Sequence, residues 1–201
     1  MIKIKKILIG SHNKGKIKEL SYLLPKKIKK ISPFDLKIKS PKETGKTYGA
    51  NSRLKANYFS KKSKLTSISD DSGLSVDCLN RKPGIYSARF ARQCGGFNNA
   101  MKKIINMVNN KNKNIKNKNR KAKFICSLSI KEYKKKLICV QGEIHGNISE
   151  KIIGKNGFGY DSIFIPKNYK ITFGEMLKKK KILIDHRYIA YQKLIKKTNI
   201  L

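Results

Sequence analysis

The stretch SISDDSGLSVD, residues 67–77, concentrates acidic side chains in a chain that has very few of them. It holds Asp70, Asp71 and Asp77, a quarter of the 12 aspartates and glutamates, against 48 lysines and arginines and a formal net charge of +36. Two neighbouring carboxylates repel each other unless a cation joins them, and Mg²⁺ suits carboxylate oxygens. The pair therefore fits a magnesium site, but it also fits an acidic turn, which Asp-Ser-Gly favours through local hydrogen bonds.

The residues around the acid pair predict an α/β fold with a mixed sheet. Residues 65–69 are predicted to form a short strand, with DDSG as a loop at the carboxyl end of the sheet, where α/β proteins bind ligands. Hydrophobic periodicity predicts further strands over 2–9, 122–130 (half-buried), 135–146 and 162–166, a weakly strand-like segment over 28–40, and helices over 16–24, 47–61, 98–108 and 185–197. Thr47 is predicted to cap the second helix.

Length and cysteine spacing limit the class of protein. A chain of 201 residues fits a single domain, here with two lobes, and residues 109–121 (NNKNKNIKNKNRK) are predicted to be a flexible, low-complexity loop within it. The four cysteines are far apart and lack the spacing of a zinc site, which fits a reducing compartment. The uncharged run near the amino terminus is too short for a signal peptide or a membrane span. We therefore expect a cytoplasmic protein without a membrane partner.

The positive charge has two explanations. It is typical of nucleic-acid-binding proteins, which neutralise phosphates. However, the chain has 42 lysines and only 6 arginines, together with 28 isoleucines and 17 asparagines, and A/T-rich codons favour lysine, isoleucine and asparagine. A protein specialised for binding phosphates uses the planar guanidinium of arginine, which donates two hydrogen bonds to one phosphate. The composition favours codon bias, so no specific nucleic-acid partner is expected.

The segment GSHNKGKI, residues 10–17, follows a predicted strand and opens a predicted helix. It matches G-x-x-x-x-G-K, but a P-loop continues with Ser or Thr to hold Mg²⁺, and Ile17 occupies that position. The more general interpretation is a phosphate cradle, in which Gly15, Lys16 and the amides of a helix amino terminus face an anion. An ordinary strand-to-helix turn remains the alternative.

Two further segments contain side chains that could bind a flat ring. GFGYD, residues 157–161, supplies Phe158, Tyr160 and Asp161, which could stack on a ring and accept its N–H groups, although a packing cluster in a loop has the same composition. The segment DHR, residues 185–187, opens the last predicted helix and fits equally a helix cap followed by surface residues. Together with the acid pair and the cradle, these segments suggest a site for a nucleoside triphosphate.

These segments resemble the inosine triphosphate pyrophosphatase family. The resemblance is carried, in order along the chain, by SHNKGKIKEL (11–20), ETGKTYGANSRLKA (43–56), DDSGLSVDCLNRKPGIYSARFA (70–91), GFGYDSIFIP (157–166) and TFGEMLKKKKILIDHR (172–187). It implies an elongated two-lobed α/β fold around a long mixed β-sheet with flanking helices, an active-site cleft between the lobes, and a homodimer. It also implies Mg²⁺-dependent hydrolysis of ITP, dITP, XTP and dXTP to the monophosphate and pyrophosphate, which clears deaminated purines from the nucleotide pool.

The resemblance also assigns residue roles. Asp71 matches the position of the general base, and Asp71, Asp70 and Glu43 are predicted to bind the metal. The predicted substrate contacts on the phosphate side are Ser11, His12, Asn13, Lys14, Gly15, Lys16, Lys55 and Ser72. Those that hold the base are Phe158, Gly159, Tyr160, Asp161, Lys181, His186 and Arg187. The family usually has Ser where this chain has Asp185, and a carboxylate there could pair with Arg187 or cap the helix. The alternatives are a pyrophosphatase of the same fold acting on a pyrimidine or modified nucleotide, and a basic nucleic-acid-binding protein.

Overall fold

The computed structural model of the protein describes residues 4–116 and 118–198. Its strands are β1 (Lys6–Ile9), β2 (Lys29–Ile31), β3 (Thr66–Val76), β4 (Lys121–Lys131), β5 (Leu137–Ile148) and β6 (Phe164–Pro166). Its helices are α1 (Lys14–Leu23), α2 (Tyr48–Ser63), α3 (Ser87–Gln93), α4 (Phe97–Lys111), α5 (Lys178–Ile182) and α6 (His186–Lys197). Residues 2 and 3 of the first predicted strand lie outside the described residues.

The strands form one sheet in the order β2-β1-β3-β4-β5-β6. β1 pairs in parallel with β2 and with β3, whereas β5 and β6 are antiparallel. The predicted α/β class, with a mixed sheet and flanking helices, is therefore confirmed. The cleft between lobes stays a prediction.

The chain divides into two compact units. The first contains residues 1–71, 126–142 and 186–201, and the second contains residues 72–125 and 143–185. Each has its own apolar core. Buried residues of the first core include Ile7, Leu20, Ile68, Leu128 and Leu194. Those of the second include Leu74, Ile104, Phe124, Phe164 and Phe173.

The prediction that a strand ends at Ser69 and that DDSG forms a loop is wrong. β3 continues to Val76, so Asp70 and Asp71 lie inside an 11-residue strand that is buried along nearly its whole length. Asp, Ser and Gly disfavour strands locally, but β-propensity yields to tertiary context. Here β3 lies between β1 and β4 in the sheet, and because β1 pairs only with Thr66–Ile68, β4 is the neighbouring strand beyond that point.

Three other predicted segments differ from the structure, two in extent and one in burial. The segment 28–40 is a strand only over Lys29–Ile31, because Asp35 then accepts the Ser32 amide in a turn. Helix α4 continues to Lys111 and β4 begins at Lys121, so the predicted loop over 109–121 is shorter at both ends. β4 is buried on both faces over 124–130 instead of half-buried, as expected of a strand in the middle of a sheet.

The start of α2 follows the prediction, because the Thr47 hydroxyl accepts the Ala50 amide at 3.1 Å. None of the helices in the described part of the chain has the length and apolar character needed to cross a lipid bilayer.

Candidate active site

Asp70 and Asp71 are neighbours on β3, and successive side chains of a strand point to opposite faces. Each carboxylate consequently has its own set of partners within the first unit. Asp70 is fully buried and Asp71 is 5% exposed. The two side chains therefore belong to two different clusters.

Asp70 belongs to a buried ionic network with Lys16, Glu19 and Arg187, here called the Arg187 network. The Oδ2 atom of Asp70 accepts Nη2 and Nε of Arg187 at 3.0 and 3.3 Å and lies 3.1 Å from Nζ of Lys16. Nη1 of Arg187 donates to Glu19. Arg187, predicted to hold the base, is thus 1% exposed and engaged with two carboxylates.

The charges around Asp70 determine its protonation state. Burial by itself would raise the pKa of Asp70, but Lys16, Arg187 and Lys55 together hold it well below its usual value. Its other oxygen, Oδ1, is buried and has no hydrogen-bond partner among the residues that the structure describes. The surrounding cations therefore favour the ionised form of Asp70, and its Oδ1 is an unused acceptor.

Asp71 belongs to a second group, the Lys55 cluster, which consists of Glu43, Asn51, Lys55 and Asp71. The ammonium of Lys55 lies 2.6 Å from Oε1 of Glu43 and 3.7 Å from Oδ1 of Asp71. Asn51 donates to Oδ2 of Asp71 at 2.9 Å, and its carbonyl accepts the amide of Gly45 at 2.8 Å. Lys55 and Asn51 lie four residues apart on α2, so both face β3.

The pKa values in this cluster shift in informative directions. Burial, and to a smaller extent Glu43, raise the pKa of Asp71 even though Lys55, Lys16 and Asn51 oppose the change. Burial lowers the pKa of Lys55, but Asp71, Asp70 and Glu43 more than compensate and raise it. A carboxylate with a raised pKa beside a firmly charged lysine is an arrangement typical of catalytic sites.

The predicted phosphate cradle, Ser11 to Lys16, is the amino terminus of α1. Asn13 is its N-cap and accepts the Lys16 amide at 3.1 Å, while the Ser11 hydroxyl accepts the Asn13 amide at 3.2 Å. His12 makes a 2.6 Å hydrogen bond to Ser40 through Nδ1. Lys14 and Gly15 form the first turn of α1. Asn13 is thus a helix cap, which sequence reasoning had not assigned.

The second unit brings together three of the residues predicted to hold a base. Oδ2 of Asp161 accepts Nζ of Lys181 at 2.7 Å and the amide of Phe158 at 2.8 Å. The Lys181 ammonium also lies 5.0 and 5.5 Å from the ring centres of Phe158 and Phe173 and 4.0 Å from Oδ2 of Asp185. We call these five residues the Lys181 cluster. Asp185 therefore lies near Lys181, while Arg187, the ion-pair partner considered for Asp185 as an alternative to a helix cap, binds Asp70 and Glu19.

The loop that carries Asp161 depends on glycine. Gly157 has φ +77°, and a Cβ there would lie 2.1 Å from Oδ2 of Asp161, so a side chain would displace the carboxylate. Gly159 has φ +70°, the left-handed region that glycine tolerates best. These glycines hold the Phe158 amide against Asp161.

The remaining predicted site residues differ in accessibility. Tyr160 is 2% exposed, donates to the carbonyl of Ser87 at 2.8 Å and packs edge-on against Phe97, which makes it a packing residue in this structure. Ser72 lies on β3 and is partly exposed, and His186 is the first residue of α6 and is 4% exposed.

Sequence reasoning missed Asn51 and Glu19. Both had a detectable signal: Asn51 precedes Lys55 by one helical turn, and Glu19 is a rare acid one turn after Lys16. Across residues 4–116 and 118–198, no three His, Cys, Asp or Glu side chains are arranged to hold a metal ion. Glu43 and Asp71, the two carboxylates beside Lys55, are one pair of donors that a cation would find together, and Glu43 is the one that reaches solvent.

Comparisons with known proteins show what the chain as a whole is similar to. Residues 7–197 match the Ham1 family. The dITP/XTP pyrophosphatase of Oceanobacillus iheyensis is 38% identical over 196 residues, covering 96% of this chain and 98% of the relative. A HAM1 protein from Coxiella burnetii has a similar structure, with a TM-score of 0.82, 29% identity and coverage of 97% of this chain and 100% of the other. The Staphylococcus aureus Ham1 protein aligns with a TM-score of 0.77 and 34% identity, over 96% of this chain and 100% of the other.

Proposed function

We propose, since the chain belongs to the Ham1 family, that it is a pyrophosphatase that hydrolyses deaminated purine nucleoside triphosphates such as dITP and XTP. The products are the nucleoside monophosphate and pyrophosphate, and the role is to clear deaminated purines from the nucleotide pool. The observation that carries the proposal is the environment of Asp71, a buried carboxylate with a raised pKa beside Lys55 and Glu43. The dITP/XTP pyrophosphatase named above supplies the substrate class.

The first unit supplies groups that suit a triphosphate. Asp71 orients a water molecule and takes its proton during in-line attack on the α-phosphorus, and a raised pKa makes it a stronger base. Lys16 and Lys55 lie within reach of the acid pair and offset the negative charge of the leaving pyrophosphate. The amides in the first turn of α1 favour an anion.

A magnesium ion fits the donors that the Lys55 cluster offers. Glu43 and Asp71 already face one cationic group, the ammonium of Lys55. Mg²⁺ is commonly held by one or two carboxylates together with water and substrate phosphates, so two protein carboxylates suffice. When bound, it neutralises charge on phosphate oxygens. Asp70, with its unused oxygen, is the further candidate ligand.

The Lys181 cluster suits the base of a deaminated purine. Hypoxanthine and xanthine present a 6-oxo group, to which a lysine ammonium donates, whereas adenine presents an amino group, which is itself a donor and leaves the ammonium without an acceptor on the base. A buried polar group left without a partner costs about 1–3 kcal/mol, which is useful discrimination. Phe158 supplies an aromatic face beside Lys181, and Asp161 keeps the ammonium in place.

The test is Mg²⁺-dependent pyrophosphate release from a panel of nucleoside triphosphates. We expect turnover of dITP and XTP and much slower turnover of dATP, dGTP and the pyrimidine nucleoside triphosphates. Asp71→Asn should lower turnover by about 100-fold or more. Asp77→Asn, a change of an exposed acid on the same segment, should leave it unchanged.

Other results would replace the proposal. A preference for a pyrimidine or modified nucleotide would change the substrate class. Oligonucleotide binding that weakens steeply with salt and is insensitive to Asp71→Asn would favour a nucleic-acid-binding protein.

Assembly and compartment are further parts of the proposal. We expect a homodimer working in the cytoplasm, as the resemblance and the cysteine spacing suggest. Light scattering during size-exclusion chromatography measures the mass in solution, and a mass of one chain at micromolar concentration would contradict the dimer.

A further inference from the structure

We infer that Lys55 occupies the position of the divalent cation in the free protein, so that lysine and metal compete for Glu43 and Asp71. The inference rests on the proposed function, because it concerns the cation of that reaction. It assigns Lys55 two successive roles: it holds the two carboxylates together before the metal arrives, and it binds phosphate afterwards.

The positions of the charged atoms support an exchange. The ammonium of Lys55 is 2.6 Å from Glu43 and 3.7 Å from Asp71, so it bridges the two carboxylates that a cation would bridge. Lys16 differs, because it lies 3.1 Å from Asp70, whose Oδ2 also accepts Arg187. Of these two lysines, Lys55 is the one that a cation between Glu43 and Asp71 must displace.

The carboxylates can exchange partners without unfolding anything. Asp71 is fixed by its position in β3 and by the 2.9 Å bond from Asn51, and neither depends on Lys55. Glu43 lies in the irregular segment before α2, and its side chain is 33% exposed. A lysine side chain has four rotatable bonds and swings readily. The exchange therefore requires rotation of Lys55 and a small adjustment of Glu43.

The exchange has a functional consequence. A metal ion that binds alone must first displace an internal ion pair, so its affinity for the free protein is low. When nucleotide and metal arrive together, the displaced ammonium of Lys55 finds phosphate oxygens in place of the carboxylates. Metal and nucleotide should therefore bind cooperatively, each raising the affinity of the other by the same factor.

The test measures Mn²⁺ binding without nucleotide, by the electron paramagnetic resonance signal of free Mn²⁺. Lys55→Met and Lys55→Gln should each bind Mn²⁺ about tenfold or more tightly than the unaltered protein, because a unit charge a few ångströms from the site is removed. Lys16→Met is the matched control: it removes the same charge from beside Asp70 but leaves Lys55 between Glu43 and Asp71, so the gain should stay below about threefold. Equal gains for Lys16→Met and Lys55→Met, or no gain in either Lys55 variant, would overturn the inference.

Two further measurements locate the effect. Adding Glu43→Gln to Lys55→Met should abolish the gain, and a gain that persists would mean that the cation binds elsewhere. In the unaltered protein, Mn²⁺ should increase labelling of Lys55 by an amine-reactive reagent, detected by mass spectrometry, and unchanged labelling would contradict the exchange. Pyrophosphate release from dITP by the unaltered protein separates the two ideas. If the unaltered protein turns over dITP but the Lys55 variants show no Mn²⁺ gain, only the exchange is refuted; if the variants show the gain but the unaltered protein has no turnover, only the proposed function is refuted.

Discussion

Lys55 in the first unit and Lys181 in the second are both buried lysines beside two carboxylates, but their surroundings differ. Lys55 is paired with Glu43, which is one-third exposed. Lys181 is paired with Asp161 and lies near Asp185, and both carboxylates are almost fully buried. The rings of Phe158 and Phe173 lie beside its ammonium. One carboxylate beside Lys55, that of Glu43, therefore reaches solvent, whereas both carboxylates beside Lys181 are enclosed.

The difference teaches that access to water decides whether an ion pair can exchange partners. A carboxylate at the surface that loses its lysine regains hydration, whereas a buried carboxylate that loses its lysine is left uncompensated. We expect the Lys55 cluster to rearrange during the reaction and the Lys181 cluster to stay fixed and hold its shape for a base.

The strongest test of this comparison removes each lysine in turn. Lys181→Met should lower the free energy of unfolding by about 3–5 kcal/mol, because it leaves buried carboxylates without their cation. Lys55→Met should lower it by less, about 2 kcal/mol, since Glu43 reaches water and only Asp71 is left buried without its cation. Urea unfolding followed by circular dichroism measures both. Equal losses would show that the two clusters do not differ in this way.

A smaller effect is expected from the glycine that shapes the enclosed cluster. Gly157→Ala places a methyl group 2.1 Å from Oδ2 of Asp161 at φ +77°, so the carboxylate must move away from Lys181. We expect a loss of about 2 kcal/mol in the same unfolding experiment. Gly49→Ala is the control, because the nearest neighbours of its methyl group would be atoms of the Arg53 side chain, at 3.3 Å and beyond, and it should cause no loss. A tolerated Gly157→Ala would mean that the loop adapts and the cluster is less rigid than we infer.

The pH dependence of stability tests the protonation of Asp71 in the Lys55 cluster. The pKa of Asp71 is raised above 3.8 in the folded protein. The Asp71 carboxyl therefore contributes its full stabilisation at pH values below 3.8, and this contribution is lost as the pH rises through the raised pKa. The stability of Asp71→Asn relative to the unaltered protein should therefore increase from pH 3 to pH 7. This change should be smaller than the losses in the free energy of unfolding expected for the lysine and glycine variants.

Asp70→Asn should show the opposite trend. The pKa of Asp70 is lowered, so its stabilising contribution is present above its ordinary pKa and is lost as the pH falls. The same unfolding experiments repeated at several pH values test both variants, and trends of the same sign would refute the assignment.

The smallest expected effect is that of salt. With a net charge of +36, repulsion between surface lysines destabilises the fold, so NaCl should raise the melting temperature by a few degrees. Salt screens exposed charges more than buried ones, so the loss caused by Lys55→Met should shrink with salt and that caused by Lys181→Met should not. A melting temperature that does not change with salt would show that the surface charge has no such effect.

Features that depend on neighbouring residues could be predicted from the sequence. Thr47 caps α2 because the hydroxyl needs only the amide three residues later. Phe158 and Asp161 meet because they share one glycine-containing turn. The course of β3 could not be predicted, since the sheet neighbours of Asp70 and Asp71 override the turn preference of Asp-Ser-Gly.

The sequence by itself determined which chemical groups are available and which segments resemble a known family. The tertiary structure alone decided which charge pairs with which: Arg187 bonds Asp70, 117 residues away, and Glu19, 168 residues away, while Asp185 lies near Lys181. The physical reason is that Coulomb attraction and desolvation depend on distance and burial in space, and separation along the chain specifies neither. The acid pair at 70–71 was visible in the sequence, whereas the separate environments of its two carboxylates arise only from the fold.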